Sequence, residues 1–156
     1  MTNKKYFQDA IPQNHCYGCG PGNDLGLQIK SYWTGDDQSA CVFTPSSQHC
    51  AASKKYLNGG IIATVIDCHC ICTAMAKGYA LEDRAVGEGD LICYVTGALN
   101  LSYKKPTPIE TELLITAKIT EVSERKILLT AELYAGDVLC VIADLTAVKV
   151  PPQWLD

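Results

Sequence analysis

The run from Leu57 to Ala76, LNGGIIATVIDCHCICTAMA, is the most hydrophobic stretch of the chain and constrains the fold more than any other feature. Its length is about that needed to cross a bilayer. Asn58, Asp67 and His69 lie within it, and polar or charged groups in mid-bilayer are costly. The glycine pair at its start reads instead as a loop-to-helix junction. Asn58 is placed to cap a helix and Gly78 to end it, which predicts a helix from Asn58 to Lys77. At about 100° per residue the apolar side chains go almost all the way round, so this helix must be buried on most sides. One stripe differs: Gly60, Ala63, Thr64, Asp67 and Ala74 share a side, which puts the only carboxylate among small residues.

The remaining segments are suited to burying such a helix. Two short β-like runs, LGLQIKSYW from Leu25 and SACVFT from Ser39, flank the turn residues Gly35-Asp36-Asp37. After a polar loop the period becomes two. Leu91, Cys93, Val95, Leu99 and Leu101 are expected on one face, with Thr96, Asn100 and Ser102 on the other. Leu113 to Ile119 and Ile127 to Leu133 repeat the alternation, and Val138 to Val148 is more uniformly apolar, as in a central strand. The short connections at Val122-Ser123-Glu124 and Ala135-Gly136-Asp137 predict an antiparallel meander. The fold class is therefore α+β: one long buried helix, four strands after it, and one or two ahead of it.

Charge and cysteine content narrow the partners. Thirteen basic against seventeen acidic side chains give a net charge of −4, the wrong balance for gripping phosphate backbones, so nucleic acid is excluded. The segment Met1 to Ala10 lacks the apolar core of a secretion signal, and no membrane partner is expected. Nine cysteines is an odd number, and a disulfide framework does not fit. Cys68, Cys70 and Cys72 alternate along the predicted helix, which spreads them around it. Reduced thiols in a cytoplasm, packed as small hydrophobes, are expected.

Four constellations could carry chemistry. Gly59-Gly60 opens the helix at its positive end, with backbone N–H groups that no side chain screens and that could hold a carbonyl oxygen gaining negative charge. Asp67 lies two turns beyond Gly60. An extended thioester or ester could have its oxygen at the glycines and a water near this carboxylate. The plain alternative is close packing at the glycines and a hydrogen-bonded structural acid. Thr96 could orient that water, although threonine suits strands anyway. Lys104-Lys105 before Pro106 could meet the phosphates of a nucleotide-like carrier, or simply guard a strand edge. His15-Cys16-x-x-Cys19 supplies three metal ligands where a structural zinc site needs four. His49 and Cys50 could complete the set, but a knuckle whose cysteines merely pack is the plainer reading. His69 lies on a different helix face from Asp67 and reads as a satisfied core histidine.

Three stretches together resemble the hotdog-fold thioesterase superfamily, in its branch of acyl-CoA thioesterases related to phenylacetate-pathway enzymes. They are His15-Cys16-Tyr17-Gly18-Cys19-Gly20 with Asn23 and Gly26-Leu27, Asn58-Gly59-Gly60 through Asp67, and Thr96 through Tyr103-Lys104-Lys105-Pro106. The resemblance implies a single hotdog domain over residues 1–156, with 1–24 as a Cys/Gly-rich N-terminal extension and a β-sheet wrapped around the helix. It implies a homodimer, or a dimer of dimers, with active sites at the dimer interface and Thr96 supplied by the partner. It assigns Gly59 as the oxyanion donor, Asp67 as base or nucleophile and Thr96 as the residue that places water. Gly59 is thus preferred over Gly60, which stands with Asn58, Lys104 and Lys105 as a substrate contact. The implied substrate is an acyl-CoA, with no metal and no cofactor beyond the CoA that the substrate carries. The family motif usually begins His-Gly-Gly, and Asn58 replaces the histidine here. A non-catalytic acyl-CoA-binding protein is the alternative which that replacement favours.

Overall fold

The computed structural model describes residues 3–155. Two short strands, β1 (Ser31–Gly35) and β2 (Gln38–Phe43), precede helix α1 (Gly59–Leu81). Four longer strands follow: β3 (Cys93–Tyr103), β4 (Leu113–Val122), β5 (Lys126–Ala135) and β6 (Val138–Val150). All pairings are antiparallel, and they build one six-stranded sheet in the order β1-β2-β4-β5-β6-β3. The long helix lies against this sheet, which is the hotdog fold.

The expected meander holds only for β4, β5 and β6. The connection after β3 carries the chain across the sheet, so β3 pairs with β6 and β2 with β4. That crossing is fastened to the segment entering the helix, where Leu57 N–H donates to Thr107 O at 2.8 Å and Tyr56 bridges Pro108. β3 is consequently an edge strand of 11 residues with one side unpaired.

Asn58 caps α1 as expected, but Gly78 does not end it. A side chain at Gly78 would meet Ile92 Cγ2 at 2.8 Å and Tyr94 Cε2 at 3.1 Å. The glycine is there to let β3 approach, and the helix runs on until Glu82 and Asp83, the latter at φ 55°. The first β-like run also starts later than its sequence pattern, at Ser31.

Val65, Ile66, Cys70, Ala74 and Tyr79 of α1 are sealed against Leu113, Ile115, Leu133 and Leu145 of the sheet. Each large apolar side chain so buried contributes roughly 1.5–3 kcal/mol. The segment is long and apolar enough to cross a membrane, and in the fold that apolar character is spent on the sheet. His69, fully buried, is the satisfied core histidine expected, with Nδ1 at 2.9 Å from Ser31 Oγ and Nε2 at 3.2 Å from Ser39 Oγ. Burial pushes its pKa down to about 4. Residues of the N-terminal segment join the same core through Phe7, Ile11 and Cys19.

Candidate active site

Asp67 is half-buried on α1 and accepts a hydrogen bond from Thr96 Oγ1 of β3 in the same chain. This corrects two expectations: Thr96 need not come from a partner, and it does not share a face with Asn100 and Ser102. The cause of the second is a β-bulge at Gly97. Thr96 pairs with Ala147 and Ala98 with Thr146, so the register shifts by one residue. Such an insertion flips the side-chain parity beyond it. Thr96 therefore joins Leu99 and Leu101, which oppose the buried Leu145 and Ala143 on the helix side. A side chain at residue 97 would strike Val148 Cγ2 at 2.7 Å, so glycine suits the bulge.

Burial pushes the Asp67 carboxyl above the usual carboxylate range, and the bond from Thr96 pulls it part of the way back. The pair opens on a cleft of about 1130 Å³, lined also by Ile71, Met75, Leu91, Tyr94 and Val95. An apolar cleft with a few convergent polar groups suits a small ligand with an apolar part.

At the other end of the site, Asn58 Oδ1 accepts from Gly60 N–H at 2.8 Å and Ile61 N–H at 3.1 Å. Gly60 N–H is thereby spent. Gly59 N–H, at the first helical position, has no acceptor among the described residues. With Gly60 and Ile61 N–H bound to Asn58 Oδ1 and Ile62 N–H to Asn58 O, Gly59 is the first-turn residue whose N–H is free among the described residues, at the positive end of the helix. Tyr103, which sequence reasoning gave no role, donates from its hydroxyl to Gly59 O at 2.8 Å and fixes this turn against the end of β3. Lys104 and Lys105 follow directly and are exposed, with both backbone N–H groups held by Cys140 O.

The predicted residues therefore fall into two groups. Asp67 and Thr96 share the cleft, whereas Asn58, Gly59, Gly60, Lys104 and Lys105 do not line it. Eight residues of helix separate Gly59 from Asp67, a rise of about 12 Å. An attacking water must sit about 3–3.5 Å from the carbonyl carbon, and the oxyanion donor about 3 Å from its oxygen. Gly59 N–H points off the N-terminal end of α1, away from Asp67, so a thioester oxygen held there lies still farther from the same chain's carboxylate, an arrangement that argues against a substrate extended along a single helix.

The residues weighed as a metal set in the sequence, where packing is the plainer reading, are also rearranged. His49 Nδ1 accepts from Ser46 N–H at 3.0 Å, and neither His49 nor Cys50 is among the ligand atoms that gather at the knuckle, which are those of Cys16, Cys19 and Cys68. The knuckle instead meets α1: Cys16 Sγ lies 3.6 Å from Cys68 Sγ, and Cys19 Sγ 3.6 Å from Cys72 Sγ.

Comparison with known proteins agrees with this architecture. The sequence model of the thioesterase superfamily matches residues 54–142, from before the helix to within β6. A thioesterase superfamily protein of Shewanella loihica PV-4 is 35% identical, with a TM-score of 0.67 over 92% of this chain and 99% of that one. The Escherichia coli PaaI protein, from the phenylacetic acid degradation operon, shares the fold at 12% identity, with a TM-score of 0.64 over 80% of this chain and 81% of its own. The mouse acyl-coenzyme A thioesterase THEM4 is 21% identical over 83% of this chain and 51% of its own length. The chain thus spans about half the length of the curated relatives it matches. Matched by the superfamily's sequence model over more than half of its length, and sharing its fold with a member 35% identical, the chain belongs to the thioesterase superfamily.

Proposed function

We propose that the protein hydrolyses acyl-CoA thioesters at sites shared by two copies of the chain. The observation that carries this reading is the division of the site along β3. Thr96, near one end of the strand, marks the position of Asp67, and Tyr103, at the other end, marks Gly59. β3 is an unpaired edge, and edge strands recruit further strands. If two β3 strands pair antiparallel about a two-fold axis near Leu99–Asn100, the Thr96 end of one lies beside the Tyr103 end of the other. Asp67 of one copy then faces the partner's Gly59, and each dimer holds two sites.

In such a site the thioester oxygen accepts from Gly59 N–H at the helix end, where the dipole favours the negative charge developing on it. Asp67 takes a proton from the water that attacks the carbonyl carbon, the C–S bond breaks, and that proton passes to the departing CoA thiolate; or Asp67 attacks the carbon itself, expelling CoA thiolate to form an anhydride that water then opens to the free acid and the carboxylate. The acyl chain lies in the apolar cleft, and Lys104 and Lys105 meet the phosphates of CoA. The chemistry asks for no cofactor. The nine free thiols suit a reducing compartment such as the cytoplasm.

The reading is tested by following a panel of short, long and aromatic acyl-CoAs, with product counted by chromatography because the protein's thiols would confuse a thiol-reactive dye. Turnover of at least one member is expected. Binding of acyl-CoA without turnover of any would replace this reading with a non-catalytic binding protein.

Two further outcomes follow. Thr96→Val should lower kcat about 10-fold with little change in KM, because it removes the bond that aims Asp67 and leaves the cleft intact. Thr96→Ser should restore most of it. Equal activity of Thr96→Val and wild type would remove Thr96 from the account. Replacing Lys104 and Lys105 by alanine should raise KM several-fold for acyl-CoA but not for the same acyl group on pantetheine, which lacks the nucleotide. The difference should shrink as salt is added. A matching rise for both substrates would place the lysines elsewhere than on the phosphates.

A further inference from the structure

Four of the nine cysteines converge from two segments about fifty residues apart in sequence. Cys16 and Cys19 belong to the glycine-rich turn, and Cys68 and Cys72 stand one helical turn apart on the face of α1 beneath it. The Sγ atoms of Cys16, Cys19 and Cys68 all lie within 4.8 Å of one another, and Cys72 joins them through Cys19 at 3.6 Å. Four thiolates bound tetrahedrally to zinc at about 2.3 Å stand about 3.8 Å apart. The contacts of 3.6 Å between Cys16 and Cys68, and between Cys19 and Cys72, are close to that edge.

We propose that Cys16, Cys19, Cys68 and Cys72 form a structural zinc site that fastens the N-terminal turn to the central helix.

The surroundings are built for close approach. A side chain at Gly18 would stand 2.3 Å from Cys68 Sγ and 3.2 Å from its Cβ, so only glycine lets the turn rest on α1 at this point. Gly20 N–H closes the turn onto Cys16 O at 2.8 Å. Asn14 buttresses both ligands: its Oδ1 accepts from Cys16 N–H at 2.9 Å, and its Nδ2 donates to Cys19 Sγ at 3.8 Å. Donors of that kind orient and stabilise bound thiolates. Cys16 is exposed, which leaves the ion a path in, while Cys19, Cys68 and Cys72 are buried. Binding of Zn²⁺ releases the four thiol protons to solvent and leaves the metal four-coordinate and closed, with no position for a substrate.

The site replaces the expectation that these cysteines only pack. All four line the cleft that holds Asp67, so zinc would fix one wall of it. The proposal is independent of the hydrolase reading, because it concerns the metal and the stability of the fold.

The test is metal analysis of the whole chain, purified under reducing conditions without chelator from zinc-supplemented cells. One equivalent of zinc is expected, with X-ray absorption showing four sulfurs at about 2.3 Å. Chelation should lower the melting temperature and added Zn²⁺ restore it. In competition with a chromogenic chelator, Cys16→Ser and Cys72→Ser should each weaken zinc binding at least 10-fold, while Cys93→Ser, outside the cluster, should not. Cobalt titrated into reduced wild type should give thiolate-to-metal charge-transfer absorption, a readout that needs no variant to fold. Less than a tenth of an equivalent of metal after titration, a shell of nitrogen and oxygen, zinc retained at full affinity by Cys16→Ser and Cys72→Ser, or a disulfide among the four in place of metal would each overturn the proposal.

Discussion

Asp67→Asn is expected to lower acyl-CoA turnover by on the order of 10³-fold while leaving the melting temperature within a few degrees of wild type or above it. The size follows from what the carboxylate does. As a base it takes the proton of the attacking water, and as a nucleophile it forms the acyl bond itself. An amide does neither. The fold should tolerate the exchange because asparagine has the same shape and its carbonyl can still accept from Thr96 Oγ1. Burial already opposes the charge on Asp67, so removing that charge takes nothing from stability. Steady-state kinetics with a thermal melt check both halves, and a variant that keeps a tenth or more of wild-type kcat would remove Asp67 from the chemistry.

Gly59→Pro is expected to cost about 10²–10³-fold in kcat with the helix intact. Proline deletes the one backbone N–H that the account needs and little else. Its fixed φ suits the first position of a helix. The residue before a proline must be extended, and Asn58 already is, at φ −60° and ψ 132°. A Cβ at Gly59 would meet Tyr103 Oη at 3.6 Å, an ordinary contact. The caps from Asn58 Oδ1 to Gly60 and Ile61 are untouched. Gly60→Pro is the informative contrast, because that N–H is already bound to Asn58. It should cost stability through a lost cap, and the loss of turnover should be smaller than for Gly59→Pro. Circular dichroism with kinetics separates the two, and equal turnover in Gly59→Pro and wild type would exclude this donor.

Much of the architecture could be read before any coordinates. An apolar helix with no wide polar face must be buried on most sides, and the period-two runs locate the strands that do the covering. Strand order could not be read in the same way. Pairing of β3 with β6 depends on a connection anchored at Leu57 and Thr107, and local alternation carries no trace of that. Simple alternation puts Thr96 on the wrong face because a single bulge at Gly97 inverts the parity behind it; the glycine inside a strand pattern is the available signal. Gly78 looked like a helix stop because a glycine that makes room for Ile92 and Tyr94 has the same letter as one that ends a helix. The alternation of Cys68, Cys70 and Cys72 along the sequence hides the cysteine cluster. The pair at i and i+4 shares one face, and its spacing beside Cys16-x-x-Cys19 was the pattern to notice.

The proposed site joins Asp67 of one subunit and Gly59 of another at one thioester. It is tested most directly by mixing Asp67→Asn and Gly59→Pro chains after mild dissociation and reassociation, then measuring turnover against either variant alone. In a mixed dimer one of the two sites has both an intact Asp67 and an intact Gly59. Random pairing in equal amounts should therefore restore roughly a quarter of wild-type activity from two nearly inactive proteins. If subunit exchange is shown, for example by native mass spectrometry, and turnover stays at the sum of the two variants, the shared site is contradicted.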